Sequence, residues 1–484
     1  MNLYIDSHSF HYEMENLTRA FYPYDKITVL RECEELVAPY VYTSCKEDIT
    51  VTLCVQDFCK TQTATKTNND TDDELTMAQL LYKLLCERFN TTLPWGLLTG
   101  VRPIKLLRRI IDEKGFDDAV EYYKNDLMVS ERKSELALIT EKAEREILSL
   151  SEEKSFSLYI SIPFCPSRCN YCSFVSQSVE KAKHLIDDYV SLLVKEIEAT
   201  AQYAKKLNLK LETVYMGGGT PTTLSAPQLD LILSTVNSCF DMSTCREFTV
   251  EAGRPDTITK EKLLAIKKNN VDRISINPQT LNDSVLEIIG RRHSAQETID
   301  AFMLARECGF DNINMDLIAG LKGDCYESFV STLDKVRELS PESITIHTLS
   351  LKRSSTLNTD NIEVNIGIKN ESTDMLEYSQ KVLLSDSFIP YYLYRQSRMA
   401  GNLENVGWAK KGCESLYNVY VMDETHTILA CGAGGVTKLK AYDVDKLERI
   451  FNFKYPYEYI TRFPEMIERK EHILEFYDEY FNFD

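Results

Sequence analysis

Between Phe156 and Thr348 the chain repeats one pattern: a short apolar run, a loop, then an amphipathic helix. The runs are FSLYISI (156–162), TVYM (213–216), FTVE (248–251), RISIN (273–277), INMDLI (313–318) and ITIHT (344–348). Segments with helical spacing lie between them, at 180–204, 226–239, 259–269, 295–308 and 325–338. Six runs of strand length alternating with helices predict an α/β fold of parallel βα units with right-handed crossovers. Whether such a sheet is open or closed, ligands bind beyond the C-terminal ends of its strands. The unusual motifs of this sequence all fall at those ends.

The flanks follow other patterns. Residues 1–59 alternate apolar and polar side chains, as in VTLCVQDF, and predict short strands with turns. The stretch KTQTATKTNNDTDDE (60–74) is nearly free of apolar side chains and reads as a loop or linker. LTMAQLLYKLLCERF has leucines near helical spacing, and WGLLTGVRPIKLLRRI (95–110) passes from glycine breaks into a basic helix. A long charged helix over about 130–149 starts behind Ser130 as N-cap. Beyond 365 a helix, MLEYSQKVLL, precedes a strand-and-loop stretch rich in Tyr and Gly. The expected domains are an N-terminal α+β accessory domain (1–150), the βα array (151–365) and a C-terminal α+β cap (366–484) over its mouth.

A chain of 484 residues exceeds one ordinary core, which agrees with several domains. Its net charge of −19 argues against nucleic acid, whose phosphates demand clustered Lys and Arg. No run of about 20 apolar residues exists to span a bilayer. The N-terminus carries acidic residues and no apolar h-region, so a cytoplasmic location is expected. Eleven of the 14 cysteines are scattered and read as small buried apolar residues with reduced thiols.

The other three stand within eight residues. YISIPFCPSRCNYCSF holds Cys165, Cys169 and Cys172 just after the first run of the array. Close thiolates on one loop can wrap an iron–sulfur cube, and three ligands leave one iron open. A structural zinc site would need a fourth Cys or His, and no Cys-x2-Cys partner follows downstream.

This spacing, after the first strand of a βα array, resembles the radical SAM superfamily. The resemblance implies a partial (β/α)6 barrel, a [4Fe-4S] cluster on the three cysteines, and S-adenosyl-L-methionine on the open iron. The opening from Tyr159 to Cys165 is similar to the Y-x-H-I-P-F-C motif of the oxygen-independent coproporphyrinogen III oxidase-like family. Gly217-Gly218-Gly219-Thr220-Pro221 follows the second run, as GGGTP does there. Its glycines let backbone approach a ligand, although a tight strand–helix turn explains them as well. The series Glu251, Gln279, Arg291 and Asp316 matches the cofactor-binding residues of that family. Carboxylates and amides suit ribose hydroxyls, and a guanidinium suits a carboxylate. Tyr159 is implied as a cofactor-binding and catalytic residue. His347, at the end of the sixth run, is placed either as a proton donor to the cavity or as a satisfied core histidine.

Within the family the chain looks most like the HemZ branch, on HTLSLKRSS (347–355), YYLYRQSRMAGNLENVGWA (391–409), ESLYNVYVMDE (414–424), CGAGGVTK (431–438) and WGLLTGVRPIK. The implied activity is oxidative decarboxylation of coproporphyrinogen III to protoporphyrinogen IX in haem biosynthesis. A low-potential donor such as flavodoxin or ferredoxin would supply electrons. Two departures keep other tetrapyrrole functions open. Ser173 replaces a Cys that studied oxidases carry, and Ser161 replaces a His. The chaperone relatives' H-N-x-x-Y-W segment aligns with Glu404–Trp408, which has no His. The alternatives are a haem-binding chaperone and an enzyme that methylates or cleaves haem. For a porphyrinogen, Lys352, Arg353, Arg395, Arg398 and Lys410 are candidate propionate partners. Tyr391, Tyr392 and Tyr394 are candidate stacking residues, or simply the tyrosines of a half-buried strand.

Overall fold

The computed structural model describes residues 1–23, 25–31, 35–67, 69–172, 176–349, 371–396 and 402–481. A first, five-stranded sheet is built from β1 (Asn2–Asp6), β2 (Thr28–Arg31), β3 (Tyr40–Cys45), β4 (Asp48–Val55) and β5 (Phe58–Thr65), in the order β2-β1-β3-β4-β5. Helices His11–Phe21 and Asp70–Phe89 cover one face, where Met14, Leu17, Met77 and Leu81 meet Val41, Ile49, Val51 and Leu53 in a separate core. The expected loop at 60–74 is largely regular structure instead. Its threonines form the outer strand β5, which among the described residues pairs only with β4, and the helix begins at Asp70 behind the side-chain cap of Asn69. An edge strand with both faces wet needs β-branched residues but no apolar ones, so composition hid it. Cys54 and Cys59, expected as buried thiols, stand opposite each other across this hairpin and form a disulfide.

All six runs of the array form strands. They are β6 (Ser155–Ile162), β9 (Lys210–Gly218), β10 (Glu247–Gly253), β11 (Arg273–Ile276), β12 (Ile313–Ala319) and β13 (Ser343–Thr348). Between β6 and β9 lies a two-stranded ladder of β7 (Phe164–Cys165) and β8 (Gln177–Ser178). The six long strands are consecutive neighbours and parallel. Helices Ile186–Lys206, Ala226–Cys239, Lys260–Lys268, Ala295–Glu307 and Tyr326–Leu339 make the crossovers. The Ala226 and Ala295 helices open on capping boxes from Ser225 and Ser294.

The C-terminal residues extend both edges of this sheet. On one side β14 (Ile389–Arg395) and β15 (Glu404–Ala409) continue antiparallel from β13. On the other, β16 (Thr427–Cys431) runs parallel to β6, followed by β17 (Val436–Lys440) and β18 (Leu447–Phe451). The result is an open sheet of eleven described strands. Among the described residues no helix is long and apolar enough to cross a membrane.

The hydrophobic cores part between Leu93 and Trp95, ahead of the expected domain boundary near 150. Trp95, Leu98, Ile104, Leu107, Tyr123 and Leu136 all join the core of the large sheet. A buried charge group fixes them there. Glu404 on β15 accepts the indole N–H of Trp95 at 2.7 Å and pairs with Lys133 of helix Glu131–Leu148. Arg395 on β14 donates to the carbonyl of Leu98 at 2.5 Å and lies over the Trp95 ring. Glu404 and Lys133 are almost fully buried, so removing either charge strands the other. Glu404→Gln is therefore expected to lower stability by about 3–5 kcal/mol in urea denaturation. Combining it with Lys133→Met should recover most of that loss.

Candidate active site at the strand ends

A cavity of about 350 Å³ opens at the C-terminal ends of the parallel strands. Cys165, Cys169 and Cys172 line it, as do Gly218, Gly219, Thr220, Glu251, Gln279, Arg291, Asp316 and His347. Tyr159 is not in the lining. Its ring stacks on those of Tyr215 and Tyr417, with centroids 6.4 and 6.1 Å away.

The cysteine loop is held from several sides. Thr220 N donates to the carbonyl of Phe164 at 2.7 Å, and its hydroxyl points to the Cys165 sulfur at 3.6 Å. Arg254 donates to the carbonyl and hydroxyl of Ser167, while its other nitrogens grip Asp256. Arg291 donates to the carbonyl of Asn277 at 2.6 Å and to the Tyr171 hydroxyl at 3.1 Å, tying the loop to the end of β11. Two glycines of the GGGTP turn answer to the chain itself. Gly218 has φ +105°, and a Cβ on Gly219 would meet the carbonyls of Phe164 and Ile162 at 2.5 and 2.8 Å. The tight turn thus needs these glycines before any ligand approaches.

The carboxylates differ in setting. Burial pushes Glu251 up to about 7, and the nearby Asp316 charge adds to this; the Tyr215 hydroxyl, 2.6 Å from Oε1, opposes it. Burial also acts on Asp316, but His347, Asn314 and Thr345 outweigh it and hold its carboxyl below the usual value. His347 Nε2 lies 3.8 Å from Asp316 Oδ2, and Asn314 donates to Oδ1 at 2.7 Å. Gln279 adopts φ +67°, locked by backbone bonds between its N–H and the Asp316 carbonyl and between its carbonyl and Ile318 N.

Of the candidate substrate residues, Tyr392 and Tyr394 line the cavity with nearly parallel rings 6.1 Å apart. Tyr391 does not line it. Arg395 is spent on the Leu98 carbonyl, and Lys410 donates to Ser340. Lys352, Arg353 and Arg398 lie outside the described residues, as does Ser173. Sequence reasoning missed Arg254 and Tyr215. The first follows Gly253 at the end of β10, and the second shares the inward face of β9 with Gly217. Tyr215 was readable from strand alternation; Arg254 lies past the strand end, out of phase with Glu251 and Gly253, and was not.

These residues fit an iron–sulfur cluster with a bound cofactor. The three cysteines remain thiols and face one cavity. Among the described residues no His, Cys, Asp or Glu triplet converges on a point that a single ion would fill. A cube needs its thiolates spread, because each iron takes its own. Beside them the Nε of Arg291 is buried without a partner, and Glu251 and Asp316 offer acceptors.

Residues 159–336 match the model of the radical SAM superfamily. The oxygen-independent coproporphyrinogen-III oxidase-like protein HemZ of Bacillus subtilis is 37% identical over 83% of this chain and 81% of its own length. Heme chaperone HemW of Lactococcus lactis is 30% identical over 58% of this chain and 70% of its own. The solved structure of coproporphyrinogen III oxidase (HemN) from Escherichia coli, a radical SAM enzyme, superimposes with a TM-score of 0.53 at 19% identity. That match covers 68% of this chain and 73% of the other. The chain belongs to the oxygen-independent coproporphyrinogen III oxidase-like family of the radical SAM superfamily, whose cofactors are a [4Fe-4S] cluster and S-adenosyl-L-methionine.

Proposed function

We propose that the chain catalyses oxygen-independent oxidative decarboxylation of coproporphyrinogen III to protoporphyrinogen IX. Cys165, Cys169 and Cys172 hold the cluster in this reading. Gly218, Gly219, Thr220, Glu251, Gln279, Arg291 and Asp316 seat S-adenosyl-L-methionine. One observation carries most of the weight: a single cavity wall holds the three thiols and all of these side chains. When bound, the cluster and cofactor supply a carbon radical that abstracts hydrogen from a substrate carbon. Each of two propionates then loses a β-hydrogen and carbon dioxide to become a vinyl group, and the remaining electron passes to an acceptor.

The protein's own residues orient and shield. Arg291 offers its unpartnered Nε to a carboxylate, and ionised Glu251 offers its oxygens to ribose hydroxyls. Asp316 fixes the His347 ring at the cavity edge, where a proton can be given or taken. Tyr392 and Tyr394 present flat faces of the size a pyrrole ring covers. Tyr159 supports Tyr215 from behind, and Tyr215 in turn holds Glu251. A low-potential carrier such as flavodoxin or ferredoxin supplies the electron.

A haem-chaperone role is the second reading, favoured by the likeness to HemW. Anaerobic incubation of reconstituted protein with coproporphyrinogen III, S-adenosylmethionine and a reductant separates the two. Protoporphyrinogen with 5′-deoxyadenosine supports the enzyme, and tight haem binding without turnover supports the chaperone. Cys165→Ala, Cys169→Ala and Cys172→Ala should each reduce bound iron and bring 5′-deoxyadenosine to background by chromatography. A variant retaining both rejects the cluster assignment.

Glu251 gives a pH test. Below its value of about 7 the carboxyl is protonated and a weaker acceptor, so cofactor affinity should rise as pH increases from 6 to 8. Glu251→Gln should flatten that rise and weaken binding at pH 8 by about tenfold, measured by equilibrium titration. An unchanged profile removes Glu251 from the cofactor site.

A further inference from the structure

The polar face of β11 opens on an arginine. Ile274 and Ile276 join the apolar core, so alternation turns Arg273 and Ser275 to the opposite side of the sheet. Arg273 is 1% exposed and lines the floor of the cavity, a strand's length below the ends where Gln279 and Arg291 stand. Its side chain reaches across β12 and donates from Nη2 to the Ser343 hydroxyl at 3.1 Å. That is its one hydrogen bond among the described residues, and its Nε is buried without a partner. Neighbours on the same face are satisfied: Thr345 donates to Asn314, and Asn314 donates to Asp316.

A guanidinium keeps its proton even when buried, so its charge calls for an anion. Glu247 acts on it through space only, and that carboxylate already accepts from Thr249, Ser415 and the amide of Tyr417. Glu251 feels the charge too, yet its donor is the Tyr215 hydroxyl. Among the described residues the cavity wall holds two other arginines, and both are committed. Arg254 grips Asp256 and Ser167, while Arg291 stands beside the cysteine loop, where the cofactor carboxylate is assigned. An acidic group that enters the cavity meets one cation with N–H groups to spare.

We infer that Arg273 anchors a propionate carboxylate of the tetrapyrrole at the cavity floor, through a charge-assisted pair with its unpartnered N–H groups. The inference rests on the tetrapyrrole reading and applies to a porphyrinogen and to haem alike, since both carry propionates. Arg395 and Lys410, which the sequence offered for this task, spend their donors on protein oxygens outside the cavity lining.

Anaerobic fluorescence titration of the reconstituted holoprotein with coproporphyrin III tests the pair. Arg273→Gln should weaken binding about 10- to 100-fold. Arg273→Lys keeps the charge but loses the fork, and should fall between that variant and wild type. Lys410→Gln removes one cation elsewhere and should bind like wild type. The tetramethyl ester of the same porphyrin should bind wild type more weakly than the acid, and Arg273→Gln should narrow that gap about tenfold. S-adenosylmethionine affinity of the same samples is the reference for an intact fold. Any of these results overturns the inference: unchanged affinity in Arg273→Gln, a lysine variant no better than the glutamine one, equal weakening in Lys410→Gln, an ester gap that Arg273→Gln leaves intact, a parallel loss of S-adenosylmethionine binding, or no porphyrin binding by wild type. The decarboxylase reading fails separately, when wild type binds the porphyrin yet forms no protoporphyrinogen from coproporphyrinogen III.

Discussion

Alternation along the parallel strands is the constraint on which this molecule depends. Strands buried beneath crossover helices are usually apolar on both faces. Here one face is apolar: Phe156, Leu158, Ile160, Val214, Met216, Val250, Ile274, Met315, Leu317, Ile344 and Ile346 belong to the core. The other face is polar, and its buried groups must find partners within the protein. Ser157 takes a hydrogen bond from Thr213 and shares another with His426; Glu247 accepts from Thr249, Ser415 and the amide of Tyr417. Thr345, Asn314 and Asp316 form a third chain. A sheet with one satisfied polar face cannot be covered there by another apolar layer. The space left against it becomes the cavity.

The same polar face pushes two neighbouring carboxyls apart. Glu251 is held up by burial with one strong donor, the Tyr215 hydroxyl. Asp316 is held down by His347, Asn314 and Thr345 together. Adjacent carboxyls with separated titrations can take separate roles, one staying ionised while the other gains or loses a proton near neutrality. Asp316 thus remains an anion beside the His347 ring. Glu251 changes acceptor strength across the range in which enzymes work.

The βα array was legible because its runs are short, apolar and separated by capped helices. Ser225, Ser294 and Ser130 act as side-chain caps, and five crossover helices lie within a few residues of their expected places. The GGGTP turn and the cysteine trio were legible because each is chemically rare. What stayed hidden depends on partners far along the chain. Nothing local marks β5 as a strand, since its stability comes from pairing with β4. Nothing near Trp95 reveals that its indole meets Glu404, 309 residues away, or that 95–150 shares the core of the large sheet. Arg395 looked like a propionate partner because a sequence shows charge and not burial; the residue is 2% exposed and its guanidinium serves the Leu98 carbonyl.

Two of the departures from the oxidase and chaperone patterns act at different depths. Ser161 stands where oxidases have His, yet its hydroxyl donates to the Ala433 carbonyl at 2.8 Å and does not line the cavity. Gly432 presses so closely on this strand that a Cβ there would reach the Ser161 carbonyl at 2.4 Å. A larger side chain at 161 would have to displace that glycine turn, so residue size at 161 is coupled to the CGAGG turn at the end of β16. Asn405 behaves otherwise. It lies in the segment where chaperones carry their haem-binding motif, it lines the cavity, and its amide oxygen accepts the Thr348 N–H at 2.8 Å. On the β14–β15 side Asn405, Tyr392 and Tyr394 meet the cavity. On the β6–β16 side Ser161 and Gly432 pack strand against turn, outside the cavity lining.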